Sequence, residues 1–185
     1  KNSLKIFSTK IERLLIGIKK NDYSSLDLNV ATEMVDIMSA DLTKYDTFDL
    51  IVTSPPYLSV TDYSTGFRLS HLWYDFNTDL NFLKKNEIGA RCKRKRKKIL
   101  DEYLDNMKFV FKKCSESLKV GGYIGIVIGE SVKYENMIIS PLTDFMTSEL
   151  KLRIETINER NVNQNYFVNI NGGVKKEMIL VFKKI

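Results

Sequence analysis

At 185 residues, 43% hydrophobic and 28% charged, the chain can bury one sizeable core but not two comfortable ones, so a single domain over 1–185 is expected. A net charge of +6 permits an anionic partner such as nucleic acid, and no apolar run approaches the roughly 20 residues of a membrane span. Cys92 and Cys114 lack metal or redox spacing and His71 is the only histidine, which excludes most zinc centres, leaves no metal expected and fits a soluble protein of the reducing cytoplasm.

In chain order, Ile6, Phe7, Ile11, Leu14, Leu15 and Ile18 recur at helical spacing and predict an amphipathic helix from Leu4 to about Lys20. A polar loop over Asn21–Asn29 leads to a short expected strand, Val35–Asp41. Asp49–Thr53 is the next strand, apolar on consecutive residues as expected when helices cover both faces. The clearest helix is Leu100–Leu118, with Gly121-Gly122 as its expected stop, followed by an apolar strand over Tyr123–Gly129. A helix from Ser140-Pro141 to Leu150 precedes two strands, about Arg153–Glu159 and Glu177–Lys183, joined through Asn171-Gly172-Gly173. The alternation predicts an α/β sheet layered by helices.

The sharpest local signal is Thr53-Ser54-Pro55-Pro56-Tyr57, directly after the apolar strand. Two prolines donate no backbone hydrogen bond and fix φ, so the strand must end in a rigid turn that presents a hydroxyl, a carbonyl and an aromatic ring together. A polar residue, two prolines and an aromatic at a strand end resemble the catalytic loop of the amino-methyltransferases that methylate exocyclic nitrogens from S-adenosylmethionine. The serine form most resembles the cytosine-N4 DNA enzymes. Thr53–Tyr63 followed by Arg68–Trp73 is similar to the segment after that loop in a branch of bacterial and archaeal DNA methylases. Leu118–Tyr123 and Glu177–Phe182 resemble a later helix-to-strand junction and the last, antiparallel strand of the same Rossmann-like fold.

An amino group conjugated with a cytosine or adenine ring is a poor nucleophile until acceptors aimed at its hydrogens draw it toward tetrahedral geometry. The resemblance implies that the Ser54 side chain and the Pro55 carbonyl are those acceptors, that Pro56 fixes the turn, and that Tyr57 stacks on a base extruded from double-stranded DNA. Transfer from a sulfonium needs positioning more than acid-base power, and no covalent cysteine adduct. The family places a polar or acidic residue near the cofactor adenine at the end of the preceding strand. Asp41 stands about there, as a cofactor residue beside Ser54 or as a plain strand-end carboxylate or helix cap.

The family's glycine-rich Phe-x-Gly-x-Gly turn for the cofactor is not found in this sequence. Everything matching lies from the third strand of the fold onward, so a fold incomplete at its amino-terminal side is expected. An upstream segment or a second polypeptide would carry that turn; a degenerate homologue is the other reading.

The basic run over Arg91–Lys98 offers Lys93, Arg94, Lys95, Arg96, Lys97 and Lys98 to DNA phosphates, or is solvated charge. His71 reads as structural; Trp73, Tyr74 and Phe76 read as core or as walls of a base pocket. Asp62 and Tyr63 stay close to the loop. The resemblance favours a cytosine-N4 DNA methyltransferase of a restriction-modification or related system. Adenine-N6 methylation shares the mechanism, RNA or protein-glutamine methylation uses related loops, and a non-catalytic nucleic-acid-binding subunit would fit the absent glycine turn.

Overall fold

The computed structural model describes residues 8–9, 11–13, 15–16, 30–33, 35–45, 47–73, 79–161 and 174–185. The chain falls into a unit of Lys1–Val35 and a larger unit of Asp36–Ile185. In the first, every described residue between 8 and 16 is helical, within the predicted helix. The expected loop over 21–29 lies outside the described residues, as do Tyr74, Phe76 and Asn171-Gly172-Gly173.

The larger unit is built on a four-stranded sheet: β1 (Phe48–Thr53), β2 (Leu118–Ser131), β3 (Leu152–Asn161) and β4 (Val174–Lys184), in the order β1-β2-β4-β3. β1 and β2 are parallel, and β4 runs antiparallel to both β2 and β3, which gives the mixed α/β sheet and the antiparallel closing strand expected from the sequence. Three short helices follow β1: α1 (Tyr63–Gly66), α2 (Arg68–Trp73) and α3 (Leu80–Asn86). The long α4 (Ile99–Glu116) returns the chain to β2, and α5 (Ile139–Ser148) joins β2 to β3.

α4 forms because Tyr103, Met107, Phe111 and Cys114 recur at helical spacing, and the helix buries these side chains together with Ile99 and Ser115. They pack on Ile124, Ile126 and Ile128 of β2 and on Leu180 and Phe182 of β4, together with Leu142, Phe145 and Met146 of α5. Burial of each such side chain contributes roughly 1.5–3 kcal/mol, which makes this layer the main source of stability. Asp101 and Glu102 sit in the first turn of α4, where the helix dipole favours negative charge.

α4 ends two residues before the expected point, and not at the glycines. The Ser117 hydroxyl donates to the Lys113 carbonyl at 3.0 Å, and the Ser117 carbonyl accepts from the Phe48 amide at 2.8 Å, so one serine closes the helix and opens the sheet. Gly121 and Gly122 instead lie inside β2, where the register jumps from Phe48↔Leu118 to Leu50↔Tyr123. Gly121 takes φ +83°, a left-handed conformation that glycine adopts without strain.

Two further expectations change. Val35–Asp41 is not a strand: the Asp36 carboxylate accepts from the Met38 amide at 3.0 Å and the Asp36 carbonyl accepts from the amides of Ser39 and Ala40. That local bonding closes a turn in place of a ladder. Within Asp36–Ile185 the long helices α4 and α5 both pack on one face of the sheet. β1 is an edge strand whose Leu50 and Val52 are 58% and 71% exposed, because α4 and α5 both pack on the opposite face. Among the described residues no helix is long and apolar enough to cross a membrane.

Candidate active site

The loop Ser54–Tyr57 leaves the carboxyl end of β1, the end of a parallel strand where α/β proteins bind their ligands. Ser54 is exposed, Pro55 is buried, and Pro56 and Tyr57 are half-buried. From α4 the Tyr103 hydroxyl donates to the Pro56 carbonyl at 2.8 Å. Burial pushes the Tyr103 phenol well above its ordinary value, so it remains a donor at any working pH. With the Pro56 carbonyl engaged, the Pro55 carbonyl has no donor among the described residues.

Tyr57 is held from the other side. Its hydroxyl donates to Glu177 Oε1 at 2.8 Å, and Arg160 donates to Glu177 Oε2 through Nε at 2.7 Å and Nη2 at 2.6 Å. Glu177 is buried, and it is paired in the ladder with Gly129 on one side and Arg160 on the other. The Tyr57 phenol is pushed up to about 12, first by burial, with the Glu177 carboxylate also raising it and the Ser54 side chain lowering it.

Beyond Tyr57 the chain turns back, with the Val60 amide on the Tyr57 carbonyl and Ser59 at φ +61°. The Ser59 amide donates to the Gly89 carbonyl at 2.7 Å, the Arg91 amide to the Thr61 carbonyl, and the Cys92 amide to Asp62 Oδ1 at 2.7 Å. Gly89 has to be glycine: φ is +67°, and a Cβ there would stand 2.9 Å from the Tyr103 ring. Glu87 adds a clamp, accepting from the amides of Tyr63 and Ser64 and from the Ser64 hydroxyl. The segment after the loop is thereby fastened to the linker that carries the basic run.

Within that run the side chains divide. Lys93 turns inward, its Nζ donating to the carbonyls of Lys85 and Glu87 at 2.7 and 2.6 Å. Arg96 pairs with Glu102 at 2.7 Å, and Arg94 reaches the Arg91 carbonyl of its own turn. Lys95, Lys97 and Lys98 are exposed. Trp73, read as core or pocket wall, is neither core nor enclosed: it is 85% exposed at the end of α2. The side chain of His71 lies outside the described residues.

Asp41 is not brought to the loop. Its carboxylate caps a single turn at Leu42–Lys44, accepting from the Thr43 amide at 2.9 Å and the Thr43 hydroxyl at 2.6 Å, and these bonds hold it below the usual carboxylate value. The preceding carbonyls of Ile37, Met38 and Ala40 all accept from Lys113 Nζ. Lys113, which gathers these carbonyls, stands ten residues beyond Tyr103 on α4.

Residues 48–185 match the model of a DNA methylase family. The chain belongs to this family. The DNA methylase match begins with β1 and takes in the whole sheet, with the Ser54–Tyr57 loop at its first strand end. Its sheet layered by helices, with an antiparallel last strand, is the fold that an N4/N6 amino-methyltransferase calls for. A crystal structure from Thermus thermophilus, described as a putative DNA modification methylase, is 18% identical with a TM-score of 0.41 over 77% of this chain and 49% of its own. TehB from Haemophilus influenzae is 15% identical with a TM-score of 0.42, over 92% of this chain and 46% of its own. The chain thus spans about half the length of each. No curated protein matches it.

Tyr103, Glu177, Arg160, Gly129 and Glu87 were missed from the sequence. Glu177 alone carried a signal: it is the one acidic residue in Lys175–Phe182, a strand otherwise of lysines and apolar residues.

Proposed function

We propose that this DNA methylase transfers a methyl group from S-adenosylmethionine to the exocyclic N4 amino group of cytosine in double-stranded DNA. The observation that carries the reading is the division of labour between the two proline carbonyls. Pro56 is tied down by Tyr103, while Pro55 and the exposed Ser54 present acceptors at the carboxyl end of β1. Two acceptors on one amino group take up its two hydrogens and free its lone pair for attack, and Tyr57 supplies the face on which the extruded base rests.

The methyl donor brings a carbon already activated on sulfur. The Asp41 carboxylate, the candidate cofactor residue, is engaged by the amide and hydroxyl of Thr43. The chain's own residues therefore act on the acceptor, binding and orienting the base and keeping its amino group aimed along one direction. We assign the donor's side to a further polypeptide segment, on this chain or a second one, that adds beside the uncovered β1. Lys95, Lys97 and Lys98 would neutralise backbone phosphates without reading sequence. Both cysteines are free thiols, in keeping with work in the cytoplasm.

The test is transfer of labelled methyl from S-adenosylmethionine to duplex DNA by the complete enzyme, followed by nucleoside analysis. N4-methylcytosine is expected; N6-methyladenine would move the substrate within the family. No transfer, or transfer indifferent to substitution at both Ser54 and Tyr57, would overturn the reading.

A further inference from the structure

The stacking ring of the loop is anchored outside the loop, by a strand 120 positions further along the chain. The Tyr57 hydroxyl is fixed on Glu177 of β4, and Glu177 is fixed in turn by two nitrogens of Arg160 on β3. Glu177 and Arg160 lie in one row of the sheet with Gly129, which faces Glu177 across the ladder as Arg160 does from the other side, and Tyr57 reaches this row from the loop. Gly129 is the floor: a Cβ there would stand 3.1 Å from Tyr57 Cε2 and would collide with Val174 Cγ1. A ring that rests on a glycine and is tethered at its far end by a buried carboxylate can neither slide nor swing out.

We propose that Glu177, held by Arg160, is a positioning residue that sets the ring of Tyr57 at the angle needed to receive an extruded base. This rests on the reading of Tyr57 as the stacking residue. A buried carboxylate is costly unless paired, and a hydrophobic residue of similar size would pack at least as well at this place in the sheet. What the carboxylate adds is direction: it accepts from the phenol with one oxygen and from the guanidinium with the other. Arg160 keeps Glu177 aimed, and Glu177 keeps the ring from turning.

The experiment is a double-mutant cycle on the complete enzyme, with Glu177→Gln, Tyr57→Phe and the pair, read by methyl transfer and by the emission of 2-aminopurine at the target position. Misplacement by about an ångström can cost on the order of a hundredfold in rate, so Glu177→Gln is expected to lower kcat roughly tenfold with KM for DNA little changed. Tyr57→Phe, which keeps the ring and loses the tether, should do the same. In the Tyr57→Phe background Glu177→Gln should then have almost no further effect. Arg160→Gln, at a partly exposed side chain that the sheet tolerates, should give a smaller loss of the same kind.

On the protein alone, ultraviolet titration should show the Tyr57 phenol ionising at lower pH in Glu177→Gln. If Glu177→Gln costs as much in the Tyr57→Phe background as in the parent, the carboxylate is merely structural and the inference falls, while stacking by Tyr57 stands. If Tyr57→Ala leaves both transfer and emission unchanged, the stacking reading fails and takes the inference with it.

Discussion

The Tyr103 hydroxyl donates to the carbonyl of Pro56 across 47 positions of sequence, and that bond engages one of two adjacent proline carbonyls and not the other. A loop of two prolines has no amide donors of its own at those residues, so its carbonyls must be assigned from outside. The long helix α4 assigns one of them.

Tyr103→Phe should therefore act on stability and chemistry together. It leaves the ring in the core and strips the donor from a part-buried carbonyl, which costs about 1–3 kcal/mol. Urea denaturation should show that loss as a lower midpoint with an unchanged slope, and methyl transfer should fall because the freed Pro56 carbonyl competes with its neighbour.

Ser54→Ala separates the two effects. Ser54 is exposed, so its truncation should change stability by no more than about 0.5 kcal/mol. Methyl transfer should fall by roughly 10²-fold or more if the hydroxyl is one of the two acceptors on the amino group. A kcat within about twofold of the parent would remove Ser54 from the mechanism.

Tyr57 makes a prediction in alkali. Its phenol is raised from 10 to about 12 in the folded chain, so the folded state holds its proton more tightly than the unfolded state between those values. The stabilisation is complete below pH 10 and is lost as pH rises through about 12. Stability measured against pH should fall across that window, and Tyr57→Phe should flatten the fall.

The basic run predicts two kinds of lysine variant. Replacing Lys95, Lys97 or Lys98 by alanine should leave stability alone and reduce the salt dependence of DNA binding by about one unit of slope for each phosphate no longer neutralised. Lys93→Ala should do the reverse, since its Nζ holds two backbone carbonyls of the linker. Thermal melting together with binding at several salt concentrations distinguishes them.

Gly129→Ala should be among the most damaging single-carbon additions in the sheet. The added methyl meets Val174 and the Tyr57 ring at once, and overpacking of this kind costs about 1–3 kcal/mol. Its loss of transfer should exceed what its loss of stability explains, because the ring is lifted from its seat.

What was legible in the sequence was local. α4, α5 and the four strands follow from periodicity and from runs of apolar residues, and the Ser54–Tyr57 loop announces itself because consecutive prolines after a strand permit few conformations. What was not legible depended on residues far apart. Asp36 closes a turn where apolar neighbours suggest a strand, because a short polar side chain can satisfy nearby amides before any ladder forms. Gly121-Gly122 reads as a helix stop, yet Ser117 stops the helix first and the glycines absorb a register jump set by β1. Glu177 and Arg160 reach Tyr57 only once β3, β4 and β2 are paired, and no spacing rule spans that distance. The basic run is plain in the sequence, but the inward turn of Lys93 is not, since it depends on carbonyls that the linker exposes only when folded.

Among the described residues edge strand β1 leaves Leu50 and Val52 exposed and one side of its backbone unpaired. Such an edge does not discriminate: it accepts any strand that can run alongside, a cognate segment or another molecule of the same chain. On the proposed reading, the edge that would admit a donor-side segment would admit unwanted strands as well, so a Val52→Lys change made to discourage the second would act on the first.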